Sequence, residues 1–240
     1  MQTINLTLIA AAVIPALWLL VKVYRADRLE KEPIRLILLL VIFGVLSTVL
    51  ASITEQLGDI AVAYFFPEGT LEYDILLYFA VVALSEEGFK DLLLKNRTWR
   101  SPEFNCLFDG VVYAVSVSLG FALWENIGYV LSYGLGAAVA RALTAVPGHA
   151  CFGVFMGAWY GFAKRRDQQG DERRSARCRR MAVLVPALLH GAYDFIAVRQ
   201  TEALSAVFVV FVILMFLAAS GLVTRMSKND EYLNPGWYMF

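Results

Sequence analysis

The sequence predicts an all-α fold: a polytopic membrane bundle of about seven transmembrane helices, read as a single membrane-embedded domain over residues 1–240. Three observations carry this expectation. Of the 240 residues, 59% are hydrophobic and only 18% charged, with a mean hydropathy of +0.60, a balance far from that of a soluble globular domain. The apolar residues gather in runs at about 3–21, 34–53, 74–94, 110–131, 137–163, 181–198 and 203–223, each near the roughly 20 residues that cross a hydrocarbon core. None has the short alternation of barrel strands, and only helices or closed barrels satisfy their backbone in lipid.

Taken in order, the runs also predict an orientation. No basic residue precedes the first, and Lys22, Arg25, Arg28, Lys31 and Arg35 follow it. This is the reverse of a cleavable signal peptide, so the run reads as a retained helix with its N-terminus outside. After the second run, the stretch 54–73 holds Glu55, Asp59, Glu68 and Glu72 with no Lys or Arg, and reads as an outer loop. The third run leads into 95–109, with Lys95, Arg97 and Arg100. The fourth and fifth carry Gly110, Gly120, Gly128, Gly148, Gly153, Gly157 and Gly161, and the last three, at spacing four, would let a neighbouring backbone approach closely. The stretch 164–180 is strongly basic but also holds Asp167, Asp171 and Glu172 and lacks interleaved aromatics. It reads as a topology determinant, and no nucleic-acid partner is expected. The last two runs end in Arg225, Lys228 and a tail over 224–240. All of the 21 Lys and Arg residues except Lys90, Arg141 and Arg199 fall at one end of the bundle. The positive-inside rule then makes that end and the C-terminus cytoplasmic. Cys106, Cys151 and Cys178 have no C-x-x-C spacing and suggest neither a disulfide framework nor a thiolate metal site.

Few ionisable residues lie at membrane depth: Glu86, Glu87 and Lys90 in the third run, Glu125 in the fourth, His149 in the fifth, His190 and Asp194 in the sixth. The histidines are the only 2 in the chain. Each charge at a helix centre costs roughly 2.5–3.5 kcal/mol on insertion scales, so these side chains should face the bundle interior or a water-filled cavity. At about 1.5 Å per residue from the basic end, Glu86, Glu87 and His190 fall about 12–14 Å deep and Glu125, His149 and Asp194 about 20–22 Å, one band on four helices. Lys90 follows Glu87 by three residues and Glu86 by four, so it can pair one carboxylate and leave the other for chemistry. His190 and Asp194 share a helix face, where Asp194 can ligate or orient the ring. Two histidines with carboxylates suit zinc, and the tentative ligand set is His149, His190, Glu125 and Asp194, with a further glutamate as the base that activates water. Asn126 is either helix glue or a site donor; Phe121, Trp124 and Tyr129 read as packing and interface aromatics.

With DRLEKEPIRL at 27–36, SEEGFK at 85–90, FDGVVYAVSVSLGFALWENIGY at 108–129, LLHGAYDF at 188–195 and the looser RALTAVPGH at 141–149, the chain resembles the PrsW family of intramembrane proteases. That family is distantly similar to the type II CAAX prenyl proteases and bacteriocin-immunity proteins. The resemblance places the motif core at about 27–200. It implies hydrolysis of a membrane-embedded or membrane-adjacent peptide bond, with Glu86, Glu87, Glu125, His149, His190 and Asp194 as the functional set and Lys90 and Asn126 supporting. It implies a membrane-anchored protein or peptide substrate, in one characterised branch an anti-sigma factor, and a multi-pass location in the cell membrane, which in a prokaryote is the bacterial inner membrane. The prenyl proteases are also discussed as glutamate-dependent enzymes, and carry a histidine where this chain has Glu125. The expected site is a cavity open to the cytoplasm, with water activated by Glu86 or Glu87 and polarised by the other polar residues, with or without a zinc ion. The rival is a transporter or binding protein that uses the same acids and histidines for protons or cations. Neither the Glu-Glu-x-x-Lys nor the His-x-x-x-Asp element recurs in the other half, which disfavours a repeat-built transporter. The motifs say nothing of oligomeric state.

Overall fold

The computed structural model describes residues 6–199 and 201–233; residues 3–5 of the first apolar run and 234–240 of the tail lie outside the described residues. The helices are α1 (Leu6–Ala26), α2 (Ile34–Phe65), α3 (Leu71–Ile75), a π-helical turn pair (Leu76–Ala83), α4 (Leu84–Thr98), α5 (Asp109–Tyr133), α6 (Leu135–Leu143), α7 (Ala145–Gln168), α8 (Glu172–Val198) and α9 (Glu202–Lys228). Among the described residues there is no strand, only an isolated antiparallel bridge between Cys106 and Tyr232. Six stretches, α1, α2, α5, α6 with α7, α8 and α9, are long and apolar enough to cross a membrane. The seventh column, α3 through the π segment to α4, is continuous from Leu71 to Thr98 and carries the buried charges that lower its hydropathy. The chain is thus a multi-pass membrane protein.

The bundle is arranged around α5, whose residues from Asp109 to Ala122 are all buried. Its contact with α7 depends on small residues. A Cβ at Gly157 would lie 2.4 Å from the Gly110 carbonyl oxygen, and one at Gly161 2.4 Å from that of Leu107, so backbone meets backbone there. On the outside, Leu38, Ile42, Leu46, Val49, Ile53, Leu57 and Ile60 form an exposed stripe along α2, and Val207, Val210, Ile213, Leu214 and Leu217 another on α9. Continuous exposed apolar surface of this kind suits lipid rather than water.

The helix ends form two faces. At one, the ends of α1, α4, α7 and α9 meet the starts of α2, α5 and α8, and the basic loops gather there: the Lys164 ammonium donates to the Trp99 carbonyl at 2.7 Å and Arg165 pairs with Glu231 at 2.8 Å. The segment up to Leu233 is tied to the loop before α5, since Leu107 N–H donates to the Glu231 carbonyl and Leu233 N–H to that of Asn105. In the loop between α1 and α2, burial pushes the Asp27 carboxyl up to about 6 and that of Glu32 up to about 7, against the nearby Lys31 charge and the Tyr113 hydroxyl respectively. At the opposite face, Tyr73 donates to Asp59 at 2.5 Å and Arg199 pairs with Asp74 at 2.7 Å.

Three elements differ from the expectation. The second run does not stop at 53: α2 continues to Phe65, because the first turn signal after it is Pro67-Glu68-Gly69, and Glu55 and Asp59 are helical rather than loop residues. The fifth run breaks at Thr144. Pro147 has no N–H to offer the carbonyl four residues back, so α7 must start in the turn that contains it. Gly134, between α5 and α6, has φ +77, a conformation glycine adopts without cost. The π segment was not legible in the hydropathy pattern; it lies where Phe79 packs directly on Gly191, a Cβ at which would be 2.6 Å from the Phe79 ring.

Candidate active site

The site starts with α4, which carries Glu86, Glu87 and Lys90 on successive turns of one face. Glu87 and Lys90 are 0% exposed and Glu86 is 6%. The Lys90 ammonium donates to Glu87 Oε1 at 2.7 Å and to Glu86 Oε2 at 3.2 Å, pairing both carboxylates where one was expected. Its third contact is His149 Nδ1 at 3.2 Å, and its Nζ lies 3.9 Å from the centre of the Phe121 ring, which therefore does more than fill space. An ammonium only donates, so His149 Nδ1 accepts and its proton sits on Nε2. That nitrogen faces Glu125 Oε2 at 3.0 Å.

His190 is held in the same way from α8. Its Nδ1 faces Glu87 Oε1 at 3.0 Å and Glu86 Oε2 at 3.8 Å, while its Nε2 faces Asp194 Oδ2 at 3.3 Å, one helical turn on. Phe152 stacks on the His190 ring at 4.6 Å, and the two imidazole rings are 5.1 Å apart, nearly perpendicular. All six residues expected from the sequence are therefore brought together. Glu125 and Asp194 stand on the outer nitrogens of the two histidines, in the orienting position that carboxylates take behind ligands.

Asn126 is fully buried and acts as helix glue, and toward the site it accepts rather than donates. Its amide donates to the Ala12 carbonyl of α1 at 2.8 Å, and its Oδ1 accepts from Arg141 Nε at 3.1 Å. Arg141 was counted only as an outer charge, yet it pairs with Glu125 at 2.8 Å and lies over the Tyr129 ring at 4.0 Å. The signal for it was faint: it opens the looser stretch RALTAVPGH. Glu55 was also missed, because its segment read as a loop. On α2 it lines the site cavity, with Oε1 buried and without a hydrogen-bond partner among the described residues. Trp124, by contrast, is 51% exposed and takes no part.

These side chains form the floor of a cavity of about 330 Å³. Its wall runs from Glu86, His149 and His190 past Glu125 and Asp194 to Tyr129, Arg141 and Val198, at the ends of α5, α6 and α8 away from the basic loops. The cavity thus rises toward the face opposite the one expected. Below it, Lys90, Leu94 and Thr98 are fully buried and close the way to the basic end. Glu87 is not part of the wall; Glu86 is.

The residues present fit a metal ion. One ligand atom from each of Glu86, Glu87, His149 and His190 lies within 4.8 Å of the others, all four buried, and Glu87 Oε2 has no hydrogen-bond partner among the described residues. This set differs from the tentative one, which used Glu125 and Asp194 in place of the two glutamates. Imidazole nitrogen with carboxylate oxygen suits zinc. The Lys90 ammonium points into the same convergence, so the group neutralises its charge with either cation.

Buried acids and histidines from four helices, set at the base of a polar cavity inside an apolar bundle, define a polytopic membrane enzyme that brings water to a bond within the bilayer. Residues 32–220 match the family model described as PrsW family intramembrane metalloprotease. The chain belongs to that family. It is 32% identical over 226 residues to Protease PrsW of Oceanobacillus iheyensis, covering 93% of this chain and 98% of the relative. It is 35% identical over 190 residues to Protease PrsW of Geobacillus kaustophilus, covering 79% of each, and 32% identical over 189 residues to Protease PrsW of Bacillus subtilis, covering 79% of this chain and 82% of the relative. No solved structure matches. The protein is accordingly an intramembrane protease, which removes the transporter reading.

Proposed function

We propose that Glu86 is the general base of this protease and that its substrate is a membrane-anchored regulatory protein, such as an anti-sigma factor, cut near the face opposite the basic loops. The observation that carries the reading is that, of the two adjacent glutamates, only Glu86 lines the cavity, together with both histidines. Glu86 takes a proton from a water as the water oxygen attacks the scissile carbonyl carbon. It returns that proton to the amide nitrogen as the C–N bond breaks. His149 and His190 line the cavity beside the scissile bond, held in place by Glu125 and Asp194. Arg141 holds Glu125. A zinc ion held by Glu87, His149 and His190 would supply Lewis-acid polarisation of the carbonyl and of the water.

A second reading, a metal-free glutamate mechanism, is favoured by one observation: Lys90 Nζ already lies 2.7 Å from Glu87 and 3.2 Å from His149. Metal content of the purified protein separates the two. The zinc reading expects about one zinc per chain, lost in both His149→Ala and His190→Ala and not in Trp124→Phe, at an exposed ring outside the site. Full activity in metal-free protein selects the metal-free mechanism instead. The orientation belongs to the same proposal: the basic face is cytoplasmic, in the cell membrane, so the cavity faces the outer side and the cut falls there.

A further inference from the structure

Far from the peptidase site, at the basic face, Asp27, Glu32 and Asp109 come together from the loop after α1, the residue before Pro33 and the first turn of α5. They are 1%, 3% and 0% exposed, and one carboxylate oxygen from each lies within 4.8 Å of the others. Each of the last two is oriented through a single oxygen. Tyr113 donates its hydroxyl to Glu32 Oε2 at 2.6 Å, and Asp109 Oδ2 accepts from the amides of Asn105 at 3.0 Å and Cys106 at 2.6 Å. Asp109 Oδ1 and both oxygens of Asp27 are buried and complete no hydrogen bond among the described residues, the Arg28 amide lying toward Asp27 and the Glu32 carboxyl toward Asp109. No Lys or Arg among the described residues forms an ion pair with any of the three. The nearest, Lys31, spends its ammonium on the carbonyls of Tyr24 at 2.8 Å, Arg25 at 3.4 Å and Asp27. Asp230 adds a fourth carboxylate beside them, with Oδ2 also buried and unpartnered. Carboxylates so far from water, with only the Lys31 charge nearby, need either a shared proton or a bound cation, because an unpaired buried charge is among the costliest features a fold can carry.

We propose that Asp27, Glu32 and Asp109 form a second cation site, specific for a hard divalent ion, calcium or magnesium. The three grouped donors are all carboxylate oxygens, and although the Cys106 thiol lies near Asp109 it is not among the ligand atoms that converge, so the chemistry favours hard cations over zinc. The site joins the loop between α1 and α2 to the start of α5, and through the Phe108 amide, which donates to Asp230 Oδ1 at 2.8 Å, to the segment after α9. At about 1.5 Å per residue it lies about 24 Å along α5 from Glu125, so it acts on the fold of the basic face and not on the peptide bond. Calcium would take further carbonyl or water oxygens, whereas magnesium would keep several of its own waters.

Terbium(III), which takes calcium ligands, tests this on the full-length protein in non-ionic detergent, with Tyr113 beside the site as the sensitiser. The wild type should give tyrosine-sensitised terbium emission, displaced by calcium or magnesium, and the ion that competes at lower concentration identifies the occupant. Asp27→Asn and Asp109→Asn should weaken binding roughly tenfold or more, since ligand charge sets affinity. His149→Ala, which dismantles only the zinc-capable group, should leave emission unchanged. Should neither aspartate variant fold, Glu32→Gln decides, because it keeps both aspartates and the neighbouring tyrosines and removes one carboxylate charge, and terbium must bind more weakly. No emission from the wild type, emission indifferent to all three carboxylates, or emission lost with His149 would each overturn the site.

Discussion

Lys90 decides the electrostatics of the catalytic group, since a single ammonium touches Glu86, Glu87 and His149. Lys90→Met should therefore cost about 3–5 kcal/mol, because it leaves Glu87 buried without a counter-charge. Adding Glu87→Gln should recover much of that loss. Thermal unfolding of the three variants in detergent measures both numbers, and equal stability of wild type and Lys90→Met would mean that the pair is not what holds α4 in place. At this scale the sequence was informative wherever a charge stood inside an apolar run, because lipid tolerates no idle charge: Glu86, Glu87, Glu125, His149, His190 and Asp194 all meet. It was uninformative where a charge lay near the end of a run. Glu55 and Arg141 looked like outer-loop charges, and only the extension of α2 and the turn of α6 back over the cavity bring them to the site. Nor did spacing reveal which carboxylates face the cavity or the convergence point and which stand behind the histidines, since that depends on ring rotation.

The helices could be placed from hydropathy, but their irregularities could not. The break at Thr144 puts His149 in the second turn of α7, and the π segment turns Val82 and Tyr78 to the cavity one and two turns before Glu86. Both follow from local features, Pro147 and the Phe79 contact with Gly191, whose geometric result depends on a neighbouring helix. The glycine spacing on α7 was legible and is realised as backbone contact with α5. Gly157→Leu should accordingly destabilise the protein by about 1–3 kcal/mol or more, since its Cβ alone would sit 2.4 Å from Val111 Cα. It should also lower cleavage, by tilting the helix that holds His149. Gly136→Leu, at a glycine with open space around it, is the control that should do neither.

For the molecule as a whole, two faces and one cavity fix where chemistry can happen. The basic residues stand at one face and the cavity rises toward the other, so orientation in the membrane decides which side of a substrate is cut. A reporter fused after Gly170 should read cytoplasm and one fused at Pro67 should read outside; the reverse pattern would move the cut to the cytoplasmic side without changing the site. The most direct test of the central claim, that Glu86 in this cavity performs intramembrane peptide hydrolysis, is a comparison of membrane peptides from cells carrying wild type or Glu86→Gln, at equal amounts of protein in the membrane. Loss of a general base should lower the wild-type cleavage products by about 10²–10⁴-fold, and leave the uncut membrane-anchored substrate to accumulate. Undiminished products from the Glu86→Gln protein would contradict it.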